Sequence, residues 1–490
     1  MGSGALLMMA AVDDVFCRPE RRRLLLRASQ ARREERLMAR GRDFTEGSIP
    51  GHLAVLFGPL LAASVFQQLY AIADALLIAY LVGSAAFAAV GIAQTLSNLL
   101  VFLMIGLASG PAVFVGHLLG ARRDGEAQNA FGSALVAGLA ISVALGAASA
   151  AAAVPVLQLL GTPPAMMQAA SVYTWWAAAS LPVVYAGNLF AGMLRAAGNA
   201  AVPFLSLSVA ALLNIALDGL FMGPLGWGVG GAAVATLLAQ AAAALWCALC
   251  LQRKGSRLRL AAGNLVPQRV LILAMARLSS AASVQAASLY IGKILVQGVV
   301  NGLGAEAIVA YAAAMRIEGL AQAAGEAGQN AGIAVIAQNH GAARPARSRS
   351  AFRWLMAAMT GTAALIGAAM FAFAEPLLSL FAAGEQGAVA AGLPYLRIIA
   401  AAYFLCLGGN AWVARFQGEG RFGLPLLGTT CQIYTRLALS LWLAPALGLE
   451  GIAWATVAGW ALFHGVFALG NKSKQAPRGK SAAGLLRPRS

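Results

Sequence analysis

The chain has 490 residues, 60% of them apolar and only 11% charged, whereas about a quarter of the residues in soluble domains are charged. The formal charge is +17, from 35 Lys and Arg against 18 Asp and Glu. This composition excludes an ordinary soluble domain and predicts an all-α polytopic membrane protein. The placement of the charge argues against nucleic acid as a partner. Residues 43–121, 124–194, 196–252 and 437–471 contain no Lys or Arg. Each gap holds a helix, a turn and a second helix, since one span takes about 20 residues. Basic residues stand at the ends of the gaps, as they do when alternate loops are cytoplasmic. Ten Lys and Arg precede residue 43 and six follow residue 471, so both termini read as cytoplasmic and the number of spans as even.

In chain order, residues 1–48 form a basic extension with Arg21-Arg22-Arg23 and Arg32-Arg33. Its apolar runs are too short to span, and it lacks the order of a signal peptide. It reads either as a cytoplasmic, surface-lying segment or as the product of a start codon assigned upstream. Twelve spans follow, centred near residues 66, 101, 141, 176, 211, 240, 285, 321, 363, 401, 433 and 460. The connection at 253–268 is the longest basic one. It divides an N-lobe, 49–252 with helices 1–6, from a C-lobe, 269–470, and a basic tail occupies 471–490. Cys247 and Cys250 form a CxxC inside an apolar helix with no second pair, which reads as packing rather than as a metal site.

The two halves repeat. Gly116-His117-Leu118-Leu119-Gly120-Ala121-Arg122 pairs with Gln338-Asn339-His340-Gly341-Ala342-Ala343-Arg344. Gly198 and Pro203 pair with Gly420 and Pro425, and Gly231 and Thr236 with Gly451 and Thr456, at offsets of 220 to 222 residues. A six-span unit repeated in one orientation predicts two lobes related by a pseudo-twofold axis. Repeat-built transporters hold substrate near the midplane between such lobes. Transport is therefore the function class expected from the residues alone.

Polar residues inside the spans mark the site. Gln67, Gln68, Tyr70 and Asp74 lie in span one, and a charged residue at that depth is retained for function. Asn214 and Asp218 in span five are four apart and share a helix face. With Asn188 of span four and Thr236 of span six, they are expected to line one cation-coupling pocket in the N-lobe. Oxygen donors of these types suit Na+ held by Asp74 and Asp218. Low-dielectric surroundings that favour a protonated carboxyl group suit H+ equally. The competing reading is that the amides and the hydroxyl merely bond helices together. At the repeat offset Asp74 lies opposite Leu295 and Asp218 opposite Ser440, so the two acids belong to one lobe only. Pro59 precedes Asp74 in the same helix and is expected to bend it. In the second half, Lys293, Glu326 and Gln329 are expected at the substrate cavity, Lys293 pairing with Glu326. Arg397, Arg415 and Arg436 are expected to snorkel or to lie toward the cytoplasmic side. No HExxH, GxSxG or P-loop is present, so an enzyme is not expected, and no cofactor beyond the coupling ion.

The run Gln67 to Ala79, the Gly-Ala-Arg loops, the turn at Gly198, the Asn214–Asp218 segment and Arg316-Ile317-Glu318 together resemble the MATE (multidrug and toxic compound extrusion) transporters. The resemblance covers about residues 49–470 and is nearer the DinF-like branch. The carboxylates that NorM-type members carry in helices 7 and 10 are replaced here by Ser283 to Ala287 and Phe404 to Gly408. It implies twelve helices in two six-helix lobes and an antiporter that exports organic cations or other amphipathic compounds against H+ or Na+. Asp74, Asn188, Asn214, Asp218 and Thr236 fall on that family's first-lobe coupling pocket, and Pro59 on its bending proline. A monomer in the bacterial inner membrane is expected, with the lipid bilayer and a small-molecule substrate as partners. A flippase for lipid-linked saccharides, the alternative, would need inward-facing Arg or Lys that the first lobe does not have.

Overall fold

The computed structural model describes residues 42–159, 161–382 and 385–472. The extension up to residue 41 and the tail beyond 472 lie outside them. Among the described residues there are fourteen α-helices and no strand. The first half contains α1 (Ile49–Leu81), α2 (Ser84–Gly120), α3 (Asp124–Leu159), α4 (Pro164–Ala196), α5 (Ala201–Met222) and α6 (Gly228–Leu251). After a short 3-10 turn at Ala262–Leu265, the second half contains α7 (Arg269–Asn301), α8 (Ala305–Gly341), α9 (Pro345–Ala372), α10 (Ala374–Phe381), α11 (Gln386–Ala401), α12 (Tyr403–Gly418), α13 (Gly423–Leu447) and α14 (Leu449–Lys472). The repeat is visible in these bounds: α2 and α8 start at 84 and 305, 221 residues apart, and α5 and α13 start at 201 and 423, 222 apart.

Nine of the helices are long and apolar enough to cross a membrane, and α11 with α12 forms a tenth span bent by 49°. α8 and α13 have the length, 37 and 25 residues, but not the apolarity. They carry Arg316, Glu318 and Glu326, and Arg436. With these two the chain has its twelve crossings, and the multi-pass all-α class stands. The count of fourteen arises because two second-half spans are broken. Pro376, in the first turn of α10, has no N–H to give to Ala372, the last residue of α9.

The lobes interpenetrate at their first helices. Ile49, Leu53, Leu56 and Leu60 of α1 belong to the core built around α8. Symmetrically, Met275, Leu278 and Ala282 of α7 belong to the core of the first lobe. Glycines allow the close approach. A Cβ at Gly110 of α2 would lie 2.6 Å from the Ser279 nitrogen of α7. At the end of the bundle where the basic loops gather, a Cβ at Gly120 would strike the Gln338 carbonyl, and one at Gly341 the His117 carbonyl.

The segment just ahead of α1 spans that seam. The Phe44 N–H donates to Gln338 Oε1 at 2.8 Å, and Asn339 Nδ2 to the Phe44 carbonyl at 3.0 Å, both on α8. The Arg42 N–H donates to the Ala197 carbonyl at the end of α4, 3.1 Å away. Arg347 Nη2 donates to the carbonyls of Phe44 and Gly47 at 3.2 and 3.0 Å, and Arg344 to that of Thr45. Residues 42–48 are thus bonded to both lobes at once. Gly198, at φ 88°, passes so close to the Arg42 backbone that no side chain fits there. This is the physical reason for the glycine in the Gly198 turn.

Candidate functional site

Residues four apart on a helix lie one turn above each other. α1 therefore presents Tyr70 and Asp74 on one face, and α5 presents Asn214 and Asp218. Where α1 and α5 meet, the carboxyl groups of Asp74 and Asp218 face each other within interaction range. Two ionised carboxylates are acceptors only and repel at this range, so the pair favours a proton or a cation between them. Asp218 is fully buried, Asn214 is 1% exposed and Asp74 8%. Oδ1 of each acid is buried and has no partner among the described residues. A buried acceptor left unmade costs about 1–3 kcal/mol. The pair is thus short of two donors or of one small cation with oxygen ligands.

The neighbours fix the acids in place. In the amide orientation that satisfies both ends, Asn214 Nδ2 donates to Asp218 Oδ2 at 2.8 Å, and Asn214 Oδ1 accepts from the Thr236 N–H at 3.0 Å. The Thr236 hydroxyl donates to the Ala232 carbonyl at 3.0 Å and lies near the Tyr70 hydroxyl. Tyr173 of α4 lies within electrostatic reach of both acids and accepts from Gln94 Nε2 of α2 at 3.5 Å. Five helices of one lobe therefore contribute to a single polar cluster.

The structure brings together four of the five residues expected at this pocket: Asp74, Asn214, Asp218 and Thr236. Asn188 is placed apart. Its amide donates to the Val184 carbonyl of its own helix at 2.8 Å. It lies 15 residues beyond Tyr173 on α4, about 22 Å along the axis at 1.5 Å per residue. Tyr173 and Gln94 were not foreseen; Tyr173, beside Trp175 and Trp176, has the look of an interfacial aromatic. Pro59 is half-buried, and α1 runs through it without a break. Gln67 is exposed, and half-buried Gln68 points its amide oxygen at Gly319 of α8. Cys247 is free and buried, its sulfur 3.2 Å from Ser206 Oγ, in keeping with packing.

In the second lobe Lys293 and Glu326 are both exposed, and Gln329 is half-buried. Lys293 and Glu326 lie within electrostatic reach but form no ion pair within 4.0 Å among the described residues. A different polar group occupies the interior. Tyr395 of α11 donates its hydroxyl to Glu318 Oε1 of α8 at 2.8 Å. Arg436 of α13 donates to Tyr311 Oη of α8 at 3.1 Å. The rings of Tyr311 and Tyr395, both buried, meet edge to face at 5.7 Å. Arg436 therefore does not snorkel: the Tyr311 hydroxyl takes its Nη2 inside the bundle and Glu318 lies within electrostatic reach, while its Nε has no partner among the described residues. Arg415 does lie at the basic end of α12, 3.3 Å from Glu419 and over the Phe352 ring at 4.7 Å.

The family model MatE matches residues 59–220 and again 281–442, two copies in the register of the internal repeat. Among curated proteins, the probable multidrug resistance protein YoeA of Bacillus subtilis (strain 168) is 26% identical over 347 residues, covering 68% of this chain and 74% of its own length. The FAD transporter of Shewanella oneidensis is 25% identical over 328 residues, with 65% and 71% covered. A solved outward-facing conformation of a multidrug resistance MATE family transporter superposes with a TM-score of 0.81 at 23% identity, covering 88% of this chain and 97% of that one.

Proposed function

The chain belongs to the MatE family of membrane transporters, and from that premise we propose that it is an antiporter exporting organic cations or other amphipathic compounds in exchange for H+ or Na+. The observation that carries the exchange is the carboxyl pair, buried and face to face, with one oxygen of each acid lacking a partner among the described residues. The name of the Bacillus subtilis relative supports the class of cargo. In this reading, ion binding to Asp74 and Asp218 neutralises the pair and draws α1 onto α5. Loss of the ion leaves two acids repelling across that contact. Asn214 holds the Asp218 carboxyl in register, and Tyr70 with Thr236 positions the Asp74 side. Arrival of the ion from outside would release cargo outward, and departure of the ion into the cytoplasm would reset the transporter.

The test is dye or drug transport in proteoliposomes under a Na+ gradient alone and then a pH gradient alone. One of the two is expected to drive the wild-type protein and to name the ion. Asp74→Asn is expected to abolish the driven component while leaving the melting temperature within a few degrees of wild type. Transport that neither gradient drives, or a fully active Asp74→Asn protein, would overturn the proposal.

A further inference from the structure

The repeat allows the first-lobe pocket to be carried over, residue by residue, onto the second lobe. α4 spans 164–196 and the bent pair α11–α12 spans 386–418, an offset of 222 at both ends. Tyr173 then falls on Tyr395, Asn214 on Arg436 and Asp218 on Ser440. Thr236 falls on Thr456 at 220. Where Asp74 stands, the second lobe has apolar Ile294 and Leu295. Both acids of the pocket are gone, and a guanidinium has appeared in the place of the amide. The only carboxylate bonded in this second cluster comes from another helix, Glu318 of α8, in register with Ser97 of α2 at 221.

We propose that this second pocket is a cation site occupied from within: the Arg436 guanidinium stands where the first lobe admits an exchangeable ion, balancing Glu318 permanently. The proposal rests on the ion-exchange reading of the first lobe. Three observations support it. Arg436 donates into the cluster through Tyr311 and lies within electrostatic reach of Glu318, beyond 4.0 Å and ahead of the weaker pull of Lys293, while Tyr395 holds that carboxylate at 2.8 Å. Ser440 is fully buried with its Oγ unpartnered among the described residues, at the register position that holds Asp218 in the first lobe. The two second-lobe helices that fall short of span-grade apolarity are the ones carrying Glu318 and Arg436. An arginine in a protein is always protonated, so a tethered guanidinium neither leaves with the gradient nor gives up its charge. The Glu318–Arg436 cluster therefore keeps one charge state through the cycle, in contrast to the acid pair of the first lobe.

Removing the tether should turn the second pocket into an open one. Purified Arg436→Ala protein is expected to melt roughly 3–5 °C lower than wild type, the upper range for a charge inside the bundle that loses its counter-charge. Millimolar guanidinium is expected to restore most of that loss in Arg436→Ala and to leave the wild type unchanged, whereas equimolar KCl restores nothing. Glu318→Gln placed in the Arg436→Ala background is expected to recover the melting temperature without guanidinium. Should Arg436→Ala fail to fold, the double variant decides: folding rescued by Glu318→Gln supports the internal cation, and folding not rescued overturns it. A wild-type melting temperature in Arg436→Ala, or equal rescue by potassium and guanidinium, also overturns it. The melting readout needs no gradient. It therefore separates failure of this proposal from failure of ion exchange at Asp74 and Asp218, which the transport assay on Asp74→Asn reads.

Discussion

Asp218 has one amide donor, Asn214, and its other oxygen has no partner. Replacing Asn214 by Leu removes that donor and the acceptor for the Thr236 N–H together. Leaving such groups unsatisfied costs about 1–3 kcal/mol. A lower melting temperature and a drop of about tenfold in driven transport are expected, since 1.4 kcal/mol in holding the acid is one decade. Asn188→Ala is the matched control. Among the described residues its amide bonds only to the Val184 carbonyl, so driven transport within twofold of wild type is expected. Coupling lost in Asn188→Ala but kept in Asn214→Leu would reverse this assignment. The contrast also bounds what single residues disclose. Asn214 and Asp218 were legible as a pair because helical geometry alone puts i and i+4 on one face. Asn188 has the same chemistry, and only its height on α4 removes it from the cluster. Arg436 was misread for a related reason: the sequence gives no means of knowing that Tyr311 and Glu318 offer it partners inside the bundle.

Helix contacts across the lobes depend on residues without side chains. Gly120 and Gly341 are repeat partners, and each meets a backbone carbonyl of the other lobe's helix, an atom that cannot rotate away. Gly120→Val therefore forces α2 off α8. Overpacking of this kind costs about 1–3 kcal/mol. Gly125→Val, where an added Cβ meets nothing within 4 Å, is expected to be neutral. Comparison of the two melting curves in detergent checks the point, and equal curves would show that the seam is slack. The repeat itself was legible, because each half must rebuild the same turns, but its register here is 221 and not 222: Arg122 matches Ala343 rather than Arg344, the two taking the same left-handed position after α2 and α8 at φ 59° and 55°. The break between α9 and α10 carried a mark in Pro376. The break between α11 and α12 falls at Ala402, eight residues past Pro394, while α3 continues through Pro155, the repeat partner of Pro376, and α4 through Pro182. Packing against neighbours decides such cases, and packing has no local signature.

At the scale of the whole molecule, the two lobes must separate at the basic end if a site between them is to open there, and residues 42–48 oppose that motion. Phe44 is fully buried and belongs to the same core as α8. Its burial contributes about 1.5–3 kcal/mol, and each hydrogen bond to Ala197, Gln338 and Asn339 adds about 0.5–1.5 kcal/mol. The local turn is robust to ordinary acidity. Burial pulls the Asp43 carboxyl upward, but hydrogen bonds from the Thr45 side chain and backbone, with the charges of Arg122 and Arg257, bring it below its usual value. A depressed carboxyl contributes stability above its unfolded value and loses it only as pH falls through the folded one, so this turn holds across the neutral range. Release therefore requires breaking the contacts with the lobes. Phe44→Ala removes the anchor and leaves the backbone bonds. A loss of about 2 kcal/mol multiplies the population of a separated state roughly thirtyfold. Spin labels at Gly125→Cys and Ala346→Cys, exposed at the starts of α3 and α9 in opposite lobes, read this directly by pulsed dipolar spectroscopy. The expected result is a second, longer distance that grows in Phe44→Ala and again when Gln338→Ala is added. A distribution identical to that of the wild-type background in both variants would mean that the glycine seam, and not this segment, holds the lobes together.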